Sequence, residues 1–389
     1  MSKTLMQASH QWMTRPADER FISLDEMKAF KRLQREECIA KGVSSRKVEA
    51  VADENDIEAL RFIVDEGREI EATNWSFGQV ASLAGAPGGY MRKLPAPLAA
   101  DCINYGLHVS RDIEDVGILI HEPSPEISAL SFNPADGTFN QDAPTVTQVP
   151  TLRAATGPTY GRIWDVDILD NLTKFVGDGV TGDWRVPGEF GKPVAVNRQN
   201  TTLYASDRDM FVFLADEKNL VEFPDRRNGK PGLMSRGFFM WNSEVGSKTF
   251  GISTFLFDYV CMNRIVWGAE DVQTIKIRHS SGAPDRFLEE AVPALEDYQA
   301  GSTSNIVEAI SAAKAKRIDV ETNEFLAKRQ FNRSMIKRIM ETHEAEEGRP
   351  IETLWDATTA ITAVARQIPH QAERVEMERA GGAILDLVK

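Results

Sequence analysis

Cysteine is scarce in this chain: Cys38, Cys102 and Cys261 are the only three among 389 residues. An odd, widely spaced set argues against a disulfide framework and fits a reducing compartment. Without a CxxC or a Cys/His cluster, a structural zinc site is not expected either. No apolar run approaches the roughly 20 residues of a membrane helix, so no membrane partner is expected. The opening MSKTLMQASHQWMTR has no continuous apolar stretch and predicts no secretory signal, which points to the cytoplasm. GxSxG, HExxH, the Walker loop and GxGxxG are all missing, and the six histidines are scattered. Positive charge is in deficit as well, with a net charge of -13. DNA affinity rests on phosphate neutralisation by Lys and Arg. Any contact with nucleic acid must then come from a local basic surface.

What is present is an ordinary globular composition, 42% hydrophobic and 26% charged. It suffices for two or three domains, or for one large domain with helical additions. Residues 1–23 are polar and read as a flexible arm. From Leu24 to Gly67 the chain is charged and helix-like, opened by Ser23 as an N-cap with Asp25 and Glu26 behind it. Asp53 to Asp56 suggests a second helix start. Residues 74–107 read as two helices around the Gly85–Gly89 turn. They form either a helix-turn-helix or, since the second helix has few cations, a plain hairpin packed on a sheet. From Asp115 the period shortens. Strands are expected at 116–120, 127–132, 152–155, 201–205, 210–214, 237–241, 250–254 and 272–279, with a helix at 165–176. Residues 255–267 fit a strand or a buried helix. After Pro284, spacing near 3.6 predicts helices at 285–298, 304–317, 320–346, 351–367 and 371–387. The expected fold is α+β: a central, mostly antiparallel sheet core over 111–282, a helical N-terminal region over 24–110 and a helical C-terminal region over 283–389.

Several constellations carry polar chemistry. Trp241-Asn242-Ser243-Glu244 and Lys248 mark a turn between two strands, where hydroxyls, amides and a lysine suit an anion and the tryptophan suits a base. A β-turn with buried Asn and Glu explains the same residues. Arg153, Tyr160, Arg162 and Trp164 lie around a Gly-Pro turn and suit phosphate and base contacts, or a loop-to-helix junction. Lys276 and Arg278 add charge on the last strand. Lys328, Arg329, Arg333 and Lys337 belong to the one basic stretch in an acidic chain, a binding footprint or a solvated face. Asp207 and Asp209, with Glu244 or His279, could share a divalent metal; a tight hairpin turn is the simpler reading of that pair. No other cofactor is expected.

Residues 75–387 resemble a family described as phage/plasmid-like proteins, a domain of unknown function carried by prophages and conjugative plasmids. The stretches that carry the likeness are FGQVASLAGAPGGYMRKLPAPLAADCIN, LRAATGPTYGRIWDVDIL, LYASDRDMFVFL, MWNSEVGSKTFGISTFLFDYVCMNRIVWG, IKIRHS and LWDATTAITAVARQI. The resemblance transfers no catalytic residues. It implies a setting on mobile genetic elements, and with it replication, recombination or establishment of foreign DNA. The leading expectation is a DNA-binding protein that binds or anneals single-stranded DNA, as a homo-oligomer and not as an enzyme. Alternatives are a metal-dependent enzyme on nucleic acid and an anti-defence interaction protein whose acidic surface mimics DNA. The leading reading requires the basic C-terminal helices to lie beside the strand bearing Trp241, so that they form one cradle.

Overall fold

The computed structural model describes residues 17–53, 59–108, 115–123, 131–133, 138–140, 149–187, 195–223, 232–258, 263–265, 274–301, 304–368 and 371–388. Strand β1 (Arg20–Phe21) leads into helix α1 (Leu24–Glu36) and strands β2 (Cys38–Ser44), β3 (Val48–Ala52), β4 (Leu60–Val64) and β5 (Glu69–Ala72). Helices α2 (Asn74–Leu83), α3 (Gly88–Met91) and α4 (Ala96–His108) precede β6 (Asp115–His121), the hairpin β7 (Ser131–Asn133) and β8 (Thr138–Asn140), β9 (Thr151–Thr156) and α5 (Asp165–Val176). Strands β10 (Trp184–Arg185), β11 (Leu203–Ala205), β12 (Met210–Asp216), β13 (Val221–Phe223), β14 (Gly232–Asn242), β15 (Phe250–Asp258), β16 (Asn263–Ile265) and β17 (Thr274–Ile277) follow. The chain closes with α6 (Ala283–Arg286), α7 (Val292–Ala300), α8 (Ser304–Ala315), α9 (Thr322–Ala327), α10 (Arg333–Glu347), α11 (Leu354–Ala365) and α12 (Gln371–Gly382).

The strands form a large sheet ordered β1-β11-β12-β14-β15-β16, with β10, β13 and β17 attached at its margins, and a smaller sheet ordered β2-β6-β9-β5-β4-β3. Among the described residues every pairing is antiparallel except β5 with β9. The fold is therefore α+β and mostly antiparallel, as the sequence suggests. Side-chain alternation gives the large sheet two apolar faces. Val212, Leu214, Phe238, Met240 and Ile252 pack under α1 and α5 on one of them. Phe211, Phe213, Phe239, Phe255 and Phe257 cluster on the other. Each such aromatic, fully buried, contributes about 2–3 kcal/mol.

The N-terminal region is not helical throughout. Residues 24–110 hold α1, the α2–α4 group and four strands of the smaller sheet. Ser23 Oγ does cap α1, accepting the Glu26 N–H at 3.1 Å. Beyond it, Val48-Glu49-Ala50 alternates buried with exposed, and Leu60–Val64 is rich in apolar residues that pack on a pleated surface. Residues 54–58, where a second helix start is expected, lie outside the described residues. The arm is partly anchored, because Phe21 is buried and pairs with Leu203. Helices α2 and α4 share the small sheet's core through Val80, Ala84, Ala100, Ile103 and Leu107. The helix expected at 320–346 is two: Gln330 is left-handed at φ 66°, and Asn332 caps α10. Cys261 lies outside the described residues. No helix among the described residues is long and apolar enough to cross a membrane.

Candidate nucleic-acid interface

The β14–β15 connection, residues 243–249, is where the two sheets meet. Ser243 organises it. Its Oγ accepts from the N–H groups of Val245 and Ser247 and donates to the Arg208 carbonyl at 2.7 Å. Gly246 takes the left-handed φ of 82° that glycine tolerates. The Val245 carbonyl accepts from Trp75 Nε1 at 2.9 Å and Gln79 Nε2 at 2.8 Å, both on α2. Gln79 Oε1 in turn accepts the Ala155 N–H of β9 at 3.1 Å. These hydroxyl and amide groups are hydrogen-bonded inside the protein. The reading of the turn as a phosphate cradle is corrected accordingly.

Beneath the turn lies a buried charge network. Leu119 pairs with Ala154 but Ile120 with Leu152, so Arg153 is the extra residue of a β-bulge. Its Nη2 meets Glu244 Oε2 at 3.1 Å and its Nη1 reaches Cys38 Sγ at 3.4 Å. Glu244 Oε1 accepts the Asp165 N–H at 2.9 Å and so caps the first turn of α5. Asp165 takes Lys31 Nζ at 3.0 Å and Asn242 Nδ2 at 2.7 Å. Lys31, Arg153, Asp165, Asn242 and Glu244 are all buried. Burial raises the Asp165 carboxyl to about 6, with the Glu244 charge adding to it and Lys31 opposing. Burial also tends to raise Glu244, but Lys31 and Arg153 outweigh it and hold that carboxyl below its ordinary value. Two cations facing two carboxylates satisfy the condition for burying charge. Arg153, Asn242 and Ser243 are therefore parts of a structural joint and lie beneath any ligand surface.

Above the joint, one row across the large sheet reads Phe211, Trp241, Gly251, Lys276. Directly opposed residues project to the same face. Gly251 leaves a gap that Trp241 fills, since a Cβ there would lie 2.1 Å from the indole. The half-buried indole thus spans β15 toward exposed Lys276, and it stacks on Phe239 with 5.4 Å between centroids. On its other flank Lys248 Nζ stands 4.8 Å from the Phe211 centroid and 3.4 Å from Asp209 Oδ2. Next to Asp209, exposed Arg208 lies 4.9 Å over the ring of half-buried Trp75. Arg278 is exposed just past β17. The result is a strip running Arg278, Lys276, Trp241, Lys248, Arg208, Trp75.

Tyr160 and Arg162 border the joint. The Tyr160 hydroxyl donates to the Ser243 carbonyl at 2.8 Å, and its ring stacks on His279 at 5.0 Å. Arg162 donates to the Glu244 carbonyl and lies 5.4 Å from the Tyr160 ring and 5.5 Å from that of Trp164. His279 Nδ1 is 3.0 Å from the Gly161 carbonyl, and burial lowers the imidazole's pKa.

The basic helices lie elsewhere. Helices α8, α10 and α11 share one apolar cluster with Met234 and Leu256. Met234 and Trp241 sit toward opposite ends of β14, roughly 23 Å apart at about 3.3 Å per residue, and alternation turns them to opposite faces. Lys328 pairs with Glu324, Lys337 with Glu341, and Arg329 lies 3.5 Å over the Phe325 ring. The cradle that would join these cations and Arg333 to Trp241 is not formed. The metal set is not assembled either. Asp209 bonds Ser206 and Lys248, Glu244 bonds Arg153 and Asp165, and Asp207 is exposed. Among the described residues no three His, Cys, Asp or Glu side chains converge to hold a metal ion.

Sequence reasoning missed Lys31, Trp75 and Arg208. Their roles arise from contacts between elements far apart in the chain, and no local pattern marks them. No family model, curated protein or solved structure matches the chain.

Proposed function

We propose that the protein binds single-stranded DNA along the strip from Arg278 to Trp75. The observation that carries this reading is the row in which Trp241, seated on Gly251, stands between Lys276 and Lys248. Binding a single strand without sequence preference takes cations for phosphates and aromatic faces for unstacked bases. The strip carries both, with Trp241 and Trp75 each following a pair of exposed cations: Arg278 and Lys276, then Lys248 and Arg208. The rest of this acidic protein repels the polyanion, which confines the contact and makes it sensitive to salt. The likeness of residues 75–387 to phage/plasmid-like proteins supports a setting in replication, recombination or establishment of a mobile element.

Fluorescence anisotropy with a labelled oligo-dT at low salt tests the proposal. Base stacking is worth about 1–3 kcal/mol per base, so Trp241→Ala weakens binding by roughly 5- to 150-fold. A wild-type protein that leaves the oligonucleotide free at low salt ends the reading.

A further inference from the structure

The cations of α10, set apart from the strip, need their own explanation. The helix carries Arg333, Lys337 and Arg338 in its first half and Glu341, Glu344, Glu346 and Glu347 in its second. Its first turn has no acid and its last turn no base. That is the reverse of what the helix macrodipole favours, with cations at the positive end and carboxylates at the negative end. Part of the charge serves the fold, because Arg338 bonds Gln367 and Glu346 pairs with Arg366 on the neighbouring α11 and its C-terminal turn. Arg333, Lys337, Glu341 and Glu344 remain as an exposed stripe at helical spacing. Lys337 and Glu341 touch each other at 3.7 Å and are 77% and 64% exposed. The side chains of Arg333 and Glu344 bond no other described residue. The stripe lines an open groove of about 690 Å³ between α9 and α10, with Ala327, Ile336 and Met340 also in the lining.

We infer that this face of α10 is an interface between two copies of the chain, packed antiparallel about a two-fold axis. A two-fold interface must complement itself. A helix basic in its first half and acidic in its second does so only when its copy runs the other way. Arg333 then faces Glu344 of the partner subunit, and Lys337 faces Glu341 of the partner subunit. One register meets both pairings, since each is centred near the middle of α10. The antiparallel copy also sets its macrodipole against the first, so charges misplaced within one helix become well placed across the pair. Half-buried Met340 lies close to the axis, where a flexible thioether adapts to an apolar groove. With α10 only about 22 Å long, the contact is small and the dimer concentration-dependent. This inference is independent of the strip and of what the strip binds.

Sedimentation velocity of the full chain over a hundredfold concentration range, at about 0.05 M and about 1 M salt, tests it. The wild type is expected to form a dimer at low salt that weakens at least tenfold at high salt. The R333E/K337E variant and the E341K/E344K variant should each be monomeric. Mixed in equal amounts they should form a dimer, because one face is now wholly acidic and the other wholly basic. Thermal melting verifies that each variant is folded; R333E/K337E places acids near the helix N-terminus, which favours the helix. A monomeric wild type throughout, a dimer surviving in both variants, or a mixture that stays monomeric overturns the inference. So does a loss of oligonucleotide binding in R333E/K337E with no change in mass, which would make α10 a nucleic-acid surface.

Discussion

Glu244 is the residue on which the joint between the sheets depends most. Replacing it by alanine does two things. It leaves the Arg153 guanidinium buried without its carboxylate, which costs about 3–5 kcal/mol. It also leaves the buried Asp165 N–H without its acceptor, roughly 1–3 kcal/mol more. Against a typical total of about 5–15 kcal/mol, Glu244→Ala should come close to unfolding the protein. Glu244→Gln keeps the shape and one acceptor, so its cost is mainly the unpaired charge, about 3 kcal/mol. Replacing both partners, with Arg153→Met and Glu244→Leu, removes this ion pair but still leaves the Asp165 N–H without its acceptor, and should cost far less than the two single changes added together. Urea unfolding followed by circular dichroism reads all of these. A Glu244→Ala loss below about 1 kcal/mol, or a double variant as weak as the sum of its parts, would refute the assignment of this pair as the anchor.

Three further outcomes are expected. His279 has a folded pKa below its ordinary value, so its stabilising contribution is present above about pH 6.5 and lost as the pH falls through the folded value. His279→Asn keeps a donor for the Gly161 carbonyl and should lose less stability than wild type between pH 7 and 5, read by thermal melting; equal losses would contradict it. Gly251→Ala drives a methyl into the Trp241 indole, so it should cost about 1–3 kcal/mol and weaken oligonucleotide binding in the same variant. Arg208→Glu should leave stability within about 0.5 kcal/mol of wild type while lowering the salt dependence of binding; an unchanged salt slope would remove Arg208 from the strip.

The helix at 165–176 and the strands around 210–214 and 250–254 are legible in the sequence because their apolar period is local and strong. The strands of residues 38–72 are not, because short alternating runs with outward charges such as Glu49 and Arg61 resemble an exposed helix. The polar-aromatic turn at 241–248 stands out as a site, but composition alone does not separate its buried half from its exposed half. Asn242 and Glu244 look like ligand residues because a buried charge joint uses the same side chains as a binding site. The bulge that aims Arg153 at Glu244 is a matter of register between β6 and β9 and leaves no local mark. The basic run at 314–338 is easily seen, yet its place depends on which end of β14 the helices cover.

The most direct measurement is an oligo-dT titration across a salt series, with wild type, Trp241→Ala and Lys248→Glu/Lys276→Glu side by side. The expected result is wild-type binding that falls steeply with salt, a weaker Trp241→Ala with an unchanged slope, and a charge variant with a slope shallower by about 2. Three proteins with the same affinity and the same slope would contradict the placement of the strand on this face.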